Sequence, residues 1–311
     1  MSHLIAIVGP TATGKTRLAI DLARSFSGEI INADSRQVYR HMNIGTAKPT
    51  PEERSLVPHY LIDIVNPDDE FSLAHYKELA NQAISDIIGR DKLPFLVGGT
   101  GLYVWSVIGN WQIPEVPPDY KFRENLAKIA ETQGASSLYR ELSRIDPEAA
   151  EKINSGNIRR VIRALEVYKS TNVPFSHLQM KNPLPFKTLI IGLTQERARL
   201  YQRVDARVDD MVKSSLVKEV ENLTEMGYDL SLPAMSAIGY RQIGLYLKRE
   251  LKLEEAVKRI KFETHRYVRQ QYSWFRLKDA RINWFDVGEE PESRIKGLVS
   301  DFLSGKEVRT V

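Results

Sequence analysis

The stretch GPTATGKT, residues 9–16, decides the fold class of this chain. It matches the pattern G-x-x-x-x-G-K-[ST], a loop in which backbone amides surround a phosphate group. Gly9 and Gly14 permit the tight turns that such a loop needs. Lys15 supplies a point charge, and the Thr16 hydroxyl can bind Mg²⁺. An apolar run, HLIAIVG, precedes the loop and a helical pattern follows it, so we predict a phosphate loop between a strand and a helix.

The composition limits the kind of protein that this sequence can form. It has 311 residues, 42% of them hydrophobic, which is enough for a large core in one or two domains. The net charge of +4 permits a polyanionic partner without requiring one. The absence of cysteine excludes disulfides, thiolate nucleophiles and cysteine-ligated zinc. With neither a signal peptide nor an apolar run of roughly 18 residues, we expect a cytoplasmic protein that has no membrane segment.

Strand-like and helix-like segments alternate through the first third of the chain. GEIINAD follows the first helical pattern, and PHYLIDI, the helical SLAHYKELANQAISDIIGRD and LPFLVGGTG come later. This alternation predicts an α/β fold in which helices flank a mostly parallel sheet, as in P-loop NTPases. Ligands of parallel sheets bind where strands end, so Asp34 and Thr100 are candidate site residues.

The region between residues 112 and 186 differs in character. The proline clusters IPEVPP and NPLPF bound it, and the pattern between them is helical. We therefore predict a core made of residues 1–111 and 187–311, interrupted by a small all-helical insertion domain at 112–186. KTLIIGL predicts a strand that returns to the sheet, and helices follow to about residue 278. The polar tail after residue 286 predicts no element.

The carboxylate that usually accompanies a phosphate loop in NTPases has no clear counterpart. There, a second strand ends in an aspartate that holds Mg²⁺. Here LPFLVGG leads to Thr100, and Asp63 lies inside the strand-like run YLIDI. Asp34 does stand at a strand end, where it is better placed as a general base than as a metal ligand. A turn or helix-capping aspartate is the alternative interpretation.

Several motifs together resemble one family. In chain order they are GPTATGKT, NADSRQVYRHMNIGTAKP, HYLIDIVNP, LVGGTGLY, RRVIRALEVY, SAIGYRQ and RQQYSWFR. From residue 3 to about 286 the chain resembles the bacterial tRNA dimethylallyltransferase family, also called tRNA isopentenyltransferases. Plant adenylate isopentenyltransferases share the phosphate loop and the first aspartate and are the nearest alternative. Without cysteine, the chain lacks the C-terminal zinc finger of some relatives.

The resemblance implies transfer of a dimethylallyl group from its diphosphate to N6 of adenosine 37 in tRNA. The implied partners are dimethylallyl diphosphate and the anticodon stem loop of tRNA, the implied cofactor is Mg²⁺, and we expect a monomer. Asp34 would take the N6 proton, and Thr100 would lie at the reacting centre. Lys15 and Thr16, the latter with Mg²⁺, would stabilise the leaving diphosphate. The implied diphosphate-binding residues are Gly9, Pro10, Thr11, Ala12, Thr13, Gly14, Lys15, Thr16 and Arg207.

The arginines of IRRVIRALEVY are candidates for RNA binding. Arg159, Arg160 and Arg163 lie within about one helical turn and form a basic face. Contact with RNA and ion pairs with a neighbour such as Glu166 both fit this pattern. By resemblance, the insertion would clamp the anticodon stem loop. The implied tRNA-binding residues are Asp34, Ser35, Arg36, Gln37, Thr100, Arg123, Arg159, Arg160, Val161, Ile162 and Arg163.

The helical pattern from Glu254 to Lys278 mixes basic and aromatic residues. Phosphate contacts and stacking surfaces for RNA are one interpretation, and a packed aromatic core with solvated lysines is the other. Two further functions also fit the sequence as a whole. A nucleotide or nucleoside kinase would use the loop and Asp34, although no Arg-rich lid is evident, and a non-catalytic RNA-binding module would need only the loop.

Overall fold

The computed structural model describes residues 2–114, 116–178 and 186–310. These residues form two compact units, one made of Met1–Ile108 with Leu184–Val311 and the other of Gly109–Pro183. None of the helices in the described ranges is long and apolar enough to cross a membrane.

The larger unit is built on one sheet of parallel strands. Within the described residues the strands are β1 (Ser2–Val8), β2 (Gly28–Asn32), β3 (His59–Tyr60), β4 (Leu93–Val97), β5 (Phe186–Thr194) and β6 (Ile282–Asp286). Their order across the sheet is β3-β2-β4-β1-β5-β6. β1, β2 and β4 are buried along most of their length, as the apolar runs of β1 and β4 predict. The predicted α/β class with a parallel sheet is confirmed.

Helices flank the sheet in the larger unit and make up most of the smaller one. The described helices are α1 (Lys15–Ser25), α2 (Pro51–Leu56), α3 (Leu73–Gly89), α4 (Gly101–Ile108), α5 (Tyr120–Gln133), α6 (Ala135–Ile145), α7 (Pro147–Lys152), α8 (Ile158–Thr171), α9 (Arg197–Lys213), α10 (Leu216–Glu225), α11 (Tyr240–Leu247), α12 (Leu253–Trp274) and α13 (Glu292–Leu303). Local sequence sets several of their starts. Ser72 caps α3 by accepting from the His75 amide, and Thr50 with Glu53 forms a capping box on α2.

β3 is shorter than the sequence predicts. PHYLIDI predicts a strand to residue 64, yet β3 ends at Tyr60. Leu61 and Asp63 have φ values of 62° and 58°, which a strand does not accommodate. The turn brings the Asp63 carboxylate to Lys48 at 2.6 Å and Arg54 at 2.7 Å. The Asp63 carboxylate is therefore already paired with two cations, which does not favour a role as a metal ligand.

Two elements near the C-terminus, β6 and α13, have no counterpart in the sequence prediction. β6 pairs with β5 and extends the sheet by one strand. On α13, Ile295, Val299 and Phe302 share one helical face and are buried in the same core as β1, α1 and β4. Polar neighbours hide this short apolar face in the sequence, which is why the polar tail alone predicts no element.

The smaller unit has its own apolar core. α5, α6, α7 and α8 bury Leu126, Leu138, Leu142 and their neighbours against one another. Val161 and Ile162 belong to this core, with 1% and 7% of their surface exposed. Their side chains therefore pack inside the unit, which does not favour contact of these two side chains with tRNA.

Removing the Phe302 ring tests the role of α13. Phe302 is 3% exposed and packs edge-on against the His3 ring, with 4.8 Å between centroids. We expect Phe302→Ala to lower the free energy of unfolding by about 3–5 kcal/mol, measured by urea denaturation. Lys296→Ala, on the exposed face of the same helix, is the matched control and should change it by less than about 0.5 kcal/mol. Equal effects of the two substitutions would contradict the core assignment of α13.

Candidate active site

The loop between β1 and α1 has the backbone of an anion-binding bend. Gly9, Ala12 and Gly14 all have positive φ, at 135°, 65° and 85°. A side chain at Gly9 would collide with the main chain of Leu193 on β5, so only glycine fits there. Gly14 caps α1, so the bend lies at the positive end of the helix dipole.

Two side chains of the loop turn back onto it. The Thr13 hydroxyl donates to the Pro10 carbonyl at 2.9 Å, and Lys15 Nζ donates to the same carbonyl at 2.7 Å. Thr13 is 2% exposed, so its hydroxyl stabilises the bend and does not face a ligand. Burial, together with the positive charge of Arg207, lowers the pKa of Lys15 to about 7, although Asp34 opposes this shift. Lys15 is therefore a cation that an anionic ligand would stabilise.

α9 brings a second cation to the loop. Arg207 Nη1 lies 3.4 Å from the Thr11 hydroxyl, which it can donate to. Burial lowers the pKa of Arg207, and the charge of Arg203 one helical turn earlier lowers it further, while Asp34 raises it. Two desolvated cations beside a bend of backbone amides suit a multiply charged anion such as a diphosphate.

The turn after β2 fixes the position of Asp34. Asp34 Oδ1 accepts from the Arg36 amide at 2.9 Å. The Asn32 side chain holds the backbone of Asp34 at both ends, accepting from its amide at 3.0 Å and donating to its carbonyl at 3.1 Å. One carboxylate oxygen of Asp34, Oδ1, therefore has the role in a turn that the alternative interpretation predicts. Among the described residues, Oδ2 has no hydrogen-bond or ion-pair partner.

Thr100 joins the loop after β4 to the loop after β2. Its hydroxyl accepts from the Ser35 amide at 3.0 Å and lies 3.4 Å from the Ser35 hydroxyl, to which it can donate. Its own amide donates to the Ala33 carbonyl at 3.2 Å. The threonine therefore holds the segment that carries Asp34 against the end of β4.

The neighbours of Asp34 in the predicted tRNA-binding segment make different contacts. Arg36 Nη1 donates to the Pro233 carbonyl at 2.9 Å. The Gln37 side chain donates to the carbonyls of Thr46 and Ala47, both at 3.1 Å. Arg36 thus borders the site, whereas Gln37 holds a neighbouring loop in place.

Gln271 on α12 connects the phosphate loop with the loop after β4. Its Oε1 accepts from the Thr11 amide at 2.9 Å, and its Nε2 donates to the Gly99 carbonyl at 3.1 Å. A side chain at Gly99 would collide with this amide. Nothing in the sequence pattern of α12 distinguishes Gln271 from its neighbour Gln270, so the sequence alone assigns it no role.

These loops enclose one cavity of about 410 Å³. The described residues that line it include Thr11, Asp34, Ser35, Arg36, Gly45, Thr46, Ala47, Gly99, Thr100, Gly101, Arg207, Tyr267, Gln271 and Trp274, with Val204, Val208, Met211 and Ile260 as apolar members. Six of the predicted site residues thus lie around the same space: Thr11, Asp34, Ser35, Arg36, Thr100 and Arg207. Lys15 and Thr16 lie beside it at the start of α1 and do not line it.

The aromatic residues of α12 divide between the two interpretations. Phe275 is fully buried and Tyr272 bonds to Thr194, so both serve the core. Tyr267 lines the cavity, where burial and the negative charge of Asp34 raise its pKa. Trp274 is 40% exposed at the cavity wall. The helix is therefore mainly structural, with two aromatic rings at the cavity.

The basic face of α8 is also divided. Glu166 is completely buried and accepts from Arg123 at 2.7 and 2.8 Å and from Arg163 at 2.6 Å. Burial alone would raise the pKa of Glu166, but these bonds and the Asp119 amide hold it below its usual value. Arg159 and Arg160 are exposed. Arg123 and Arg163 therefore stabilise the fold of the insertion, and Arg159 and Arg160 are the better candidates for RNA contact.

Comparison of the chain with known proteins identifies its family. Residues 37–278 match the family model for IPP transferase, and residues 2–67 match the one for isopentenyl transferase. The chain is 48% identical to a tRNA dimethylallyltransferase of Dehalococcoides mccartyi, over 99% of this chain and 95% of that protein. It is 53% identical to one from a Roseiflexus species, over 89% and 90%. The structure of a Bacillus halodurans tRNA isopentenylpyrophosphate transferase covers 98% of both chains at 41% identity, with a TM-score of 0.73.

The pKa of Lys15 predicts that binding of a diphosphate takes up a proton. Above pH 7 much of Lys15 in the free protein is neutral, and a bound anion stabilises its charged form. The affinity should therefore fall as the pH rises above about 7. Calorimetry at pH 8 in buffers of different ionisation enthalpy should show uptake of up to about one proton per diphosphate. Lys15→Met should bind more weakly and take up less, and equal proton uptake by the two proteins would contradict this origin.

Proposed function

The chain belongs to the tRNA dimethylallyltransferase family, and we propose that it transfers a dimethylallyl group from dimethylallyl diphosphate to N6 of adenosine 37 in tRNA. The observation that carries this proposal is one cavity lined by the Asp34 carboxylate and by Thr11 and Arg207 of the phosphate-binding end. N-alkylation of an adenine requires both features, namely a base for the N–H proton and a site for a departing diphosphate.

The diphosphate would bind at the end of the cavity beside α1. The loop amides, Lys15 and Arg207 would surround its oxygens, where negative charge increases as the carbon–oxygen bond breaks. The apolar residues of α9, Val204, Val208 and Met211, would contact the dimethylallyl group. Binding at the loop would therefore direct the reactive carbon toward the middle of the cavity.

The reaction is proposed to use Mg²⁺, and the residues fit this ion. No group of three or more acidic or histidine residues within the described ranges could hold a metal. Mg²⁺ commonly binds through one or two protein oxygens, substrate phosphates and water. Thr16, at the start of α1, would provide that oxygen, with the diphosphate providing others. Mg²⁺ bound there would neutralise part of the charge of the diphosphate.

The acceptor adenine would enter from the side of Asp34. It must leave its stack in the anticodon loop, at a cost of about a few kcal/mol that is smallest for loop bases. The new bond joins N6 to C1 of the dimethylallyl group, and the bond between C1 and the diphosphate oxygen breaks. The N6 proton moves to Asp34 Oδ2, while Oδ1 stays bonded to the Arg36 amide. Thr100 would position this carboxylate through Ser35.

A single assay separates this function from its alternatives. The protein is incubated with labelled dimethylallyl diphosphate, ATP and unmodified tRNA, with adenosine monophosphate in a parallel reaction. Label in tRNA supports the proposal, and label in the monophosphate supports an adenylate isopentenyltransferase. Transfer of phosphate from ATP would identify a kinase, and RNA binding without transfer would identify a binding module.

Asp34→Asn tests the base without removing the turn. The amide oxygen of asparagine can still accept from Arg36, but the side chain cannot take up a proton. We expect single-turnover transfer to slow by about 10²–10⁴, with the affinities for tRNA and diphosphate within several-fold of the parent. Asp68→Asn, an exposed aspartate elsewhere, should leave the rate unchanged. A near-parental rate in Asp34→Asn would assign Asp34 to the turn alone.

The two kinds of arginine on α8 should respond differently to substitution. Replacing Arg159 and Arg160 with glutamine should lower the slope of log affinity for tRNA against log salt by about 0.7–0.9 per arginine. Arg163→Gln should leave that slope nearly unchanged and lower the melting temperature, because buried Glu166 loses one partner. An unchanged slope in a well-folded double variant would exclude this surface from RNA binding.

A further inference from the structure

One wall of the cavity belongs to a loop that has almost no regular structure. Gly45, Thr46 and Ala47 line the cavity together with Asp34. They lie between β2 and α2, where the backbone forms successive turns. Two residues of this loop, His41 and Ala47, have positive φ values of 65° and 48°. Such conformations are costly for non-glycine residues and persist only where other contacts enforce them.

Glu219 on α10 binds the part of the loop that lies between these two residues. Its carboxylate accepts from the amides of Asn43, Ile44 and Gly45 at 2.8–3.1 Å, so that three successive N–H groups point at one side chain. Successive amides of this kind form an anion-binding nest. Here the anion is part of the protein, and it binds the loop directly beside the residues that line the cavity.

Tyr240 completes the arrangement from α11. It is fully buried, and its hydroxyl donates to Glu219 Oε1 at 2.6 Å. Its ring lies against Gly45 so closely that a side chain at Gly45 would collide with it. Ala237 and Gly239, which precede α11, line the same cavity. The carboxylate therefore joins α10, the start of α11 and the loop at one point of the cavity wall.

The loop is in turn connected to the segment that carries Asp34. The Gln37 side chain donates to the carbonyls of Thr46 and Ala47. A displacement of the loop therefore affects both the wall opposite α11 and the turn after Asp34. The phosphate loop makes none of these contacts within the described residues, so Glu219 does not contact the diphosphate end directly.

We propose that Glu219 is a positioning residue that fixes the acceptor wall of the cavity, through the amides of Asn43, Ile44 and Gly45. The wall is where an adenine would lie with its N6 toward Asp34. This inference rests on the proposed transfer to tRNA. It assigns a role in binding of the acceptor base to a side chain that touches neither substrate.

Amide hydrogen exchange tests the contact itself. Glu219→Gln leaves one acceptor oxygen and turns an NH₂ group toward the N–H donors of the nest. We expect the amides of Asn43, Ile44 and Gly45 to exchange at least about tenfold faster in this variant. The matched control is Glu221→Gln, which removes a carboxylate of the same helix that pairs with Lys218. Unchanged exchange in Glu219→Gln would overturn the inference, whatever the protein catalyses.

Steady-state kinetics tests the role in the reaction. For Glu219→Gln we expect kcat/KM for tRNA to fall about tenfold or more, while the dissociation constant of dimethylallyl diphosphate stays within about twofold. Tyr240→Phe keeps the ring against Gly45 and removes one donor, so a smaller fall of about two- to fivefold is expected. Because both act through one carboxylate, the double variant should be little worse than Glu219→Gln alone.

Two outcomes would overturn the positioning role. One is faster amide exchange with kcat/KM for tRNA within about twofold of the parent. The other is a parallel loss of tRNA kinetics, diphosphate affinity and melting temperature, which a purely structural residue would produce. If the parent protein itself transfers no label to tRNA, the proposed function fails, and the exchange experiment still decides whether Glu219 holds the loop.

Discussion

The side-chain amide of Gln271 determines the spacing between the two loops that form the site. The pairing of β1 with β4 makes the loops after these strands neighbours, but it does not fix the gap between them. Gln271 fixes it with a bond to Thr11 on one side and to Gly99 on the other. Because an amide oxygen can only accept and an amide nitrogen can only donate, the side chain fits in one orientation. The phosphate loop and the end of β4 are thus held together by a residue that is 260 positions from Thr11 and 172 positions from Gly99 in the sequence.

The sequence could predict those parts of the fold that depend on local patterns. Buried parallel strands are continuously apolar, and a glycine-rich bend between strand and helix has few alternatives. The sequence predicts a longer β3 than the structure has, because Leu61 and Asp63 adopt left-handed conformations that their residue types do not indicate. α13 was missed because its buried face consists of three apolar residues among polar ones, and only the sheet shows what that face packs against.

The sequence predicts those residues of the candidate site that lie next to a recognisable motif. Asp34 and Thr100 follow strands, and the structure brings both to one cavity. What the sequence could not provide is the partner of each charge. Arg163 and Glu166 are close on any helix, but the burial of Glu166 also depends on Arg123, 43 positions earlier. Gln271 and Glu219 act through contacts of 172 positions or more, and a local pattern carries no information about such contacts.

The charges of Asp34, Lys15 and Arg207 favour the proposed transfer over a simple binding role. Asp63, Glu166 and Glu219 each have strong partners for their carboxylates, whereas Asp34 has an oxygen that no described residue binds. In the proposed transfer, Asp34 would gain the N6 proton and lose its charge, while the departing diphosphate would gain one negative charge. The total charge of the cavity is therefore unchanged, and negative charge moves from the carboxylate to the end where Lys15 and Arg207 lie. Because these cations are desolvated, they interact strongly with that charge. They are in place before the reaction begins, so stabilising the transition state requires little reorganisation.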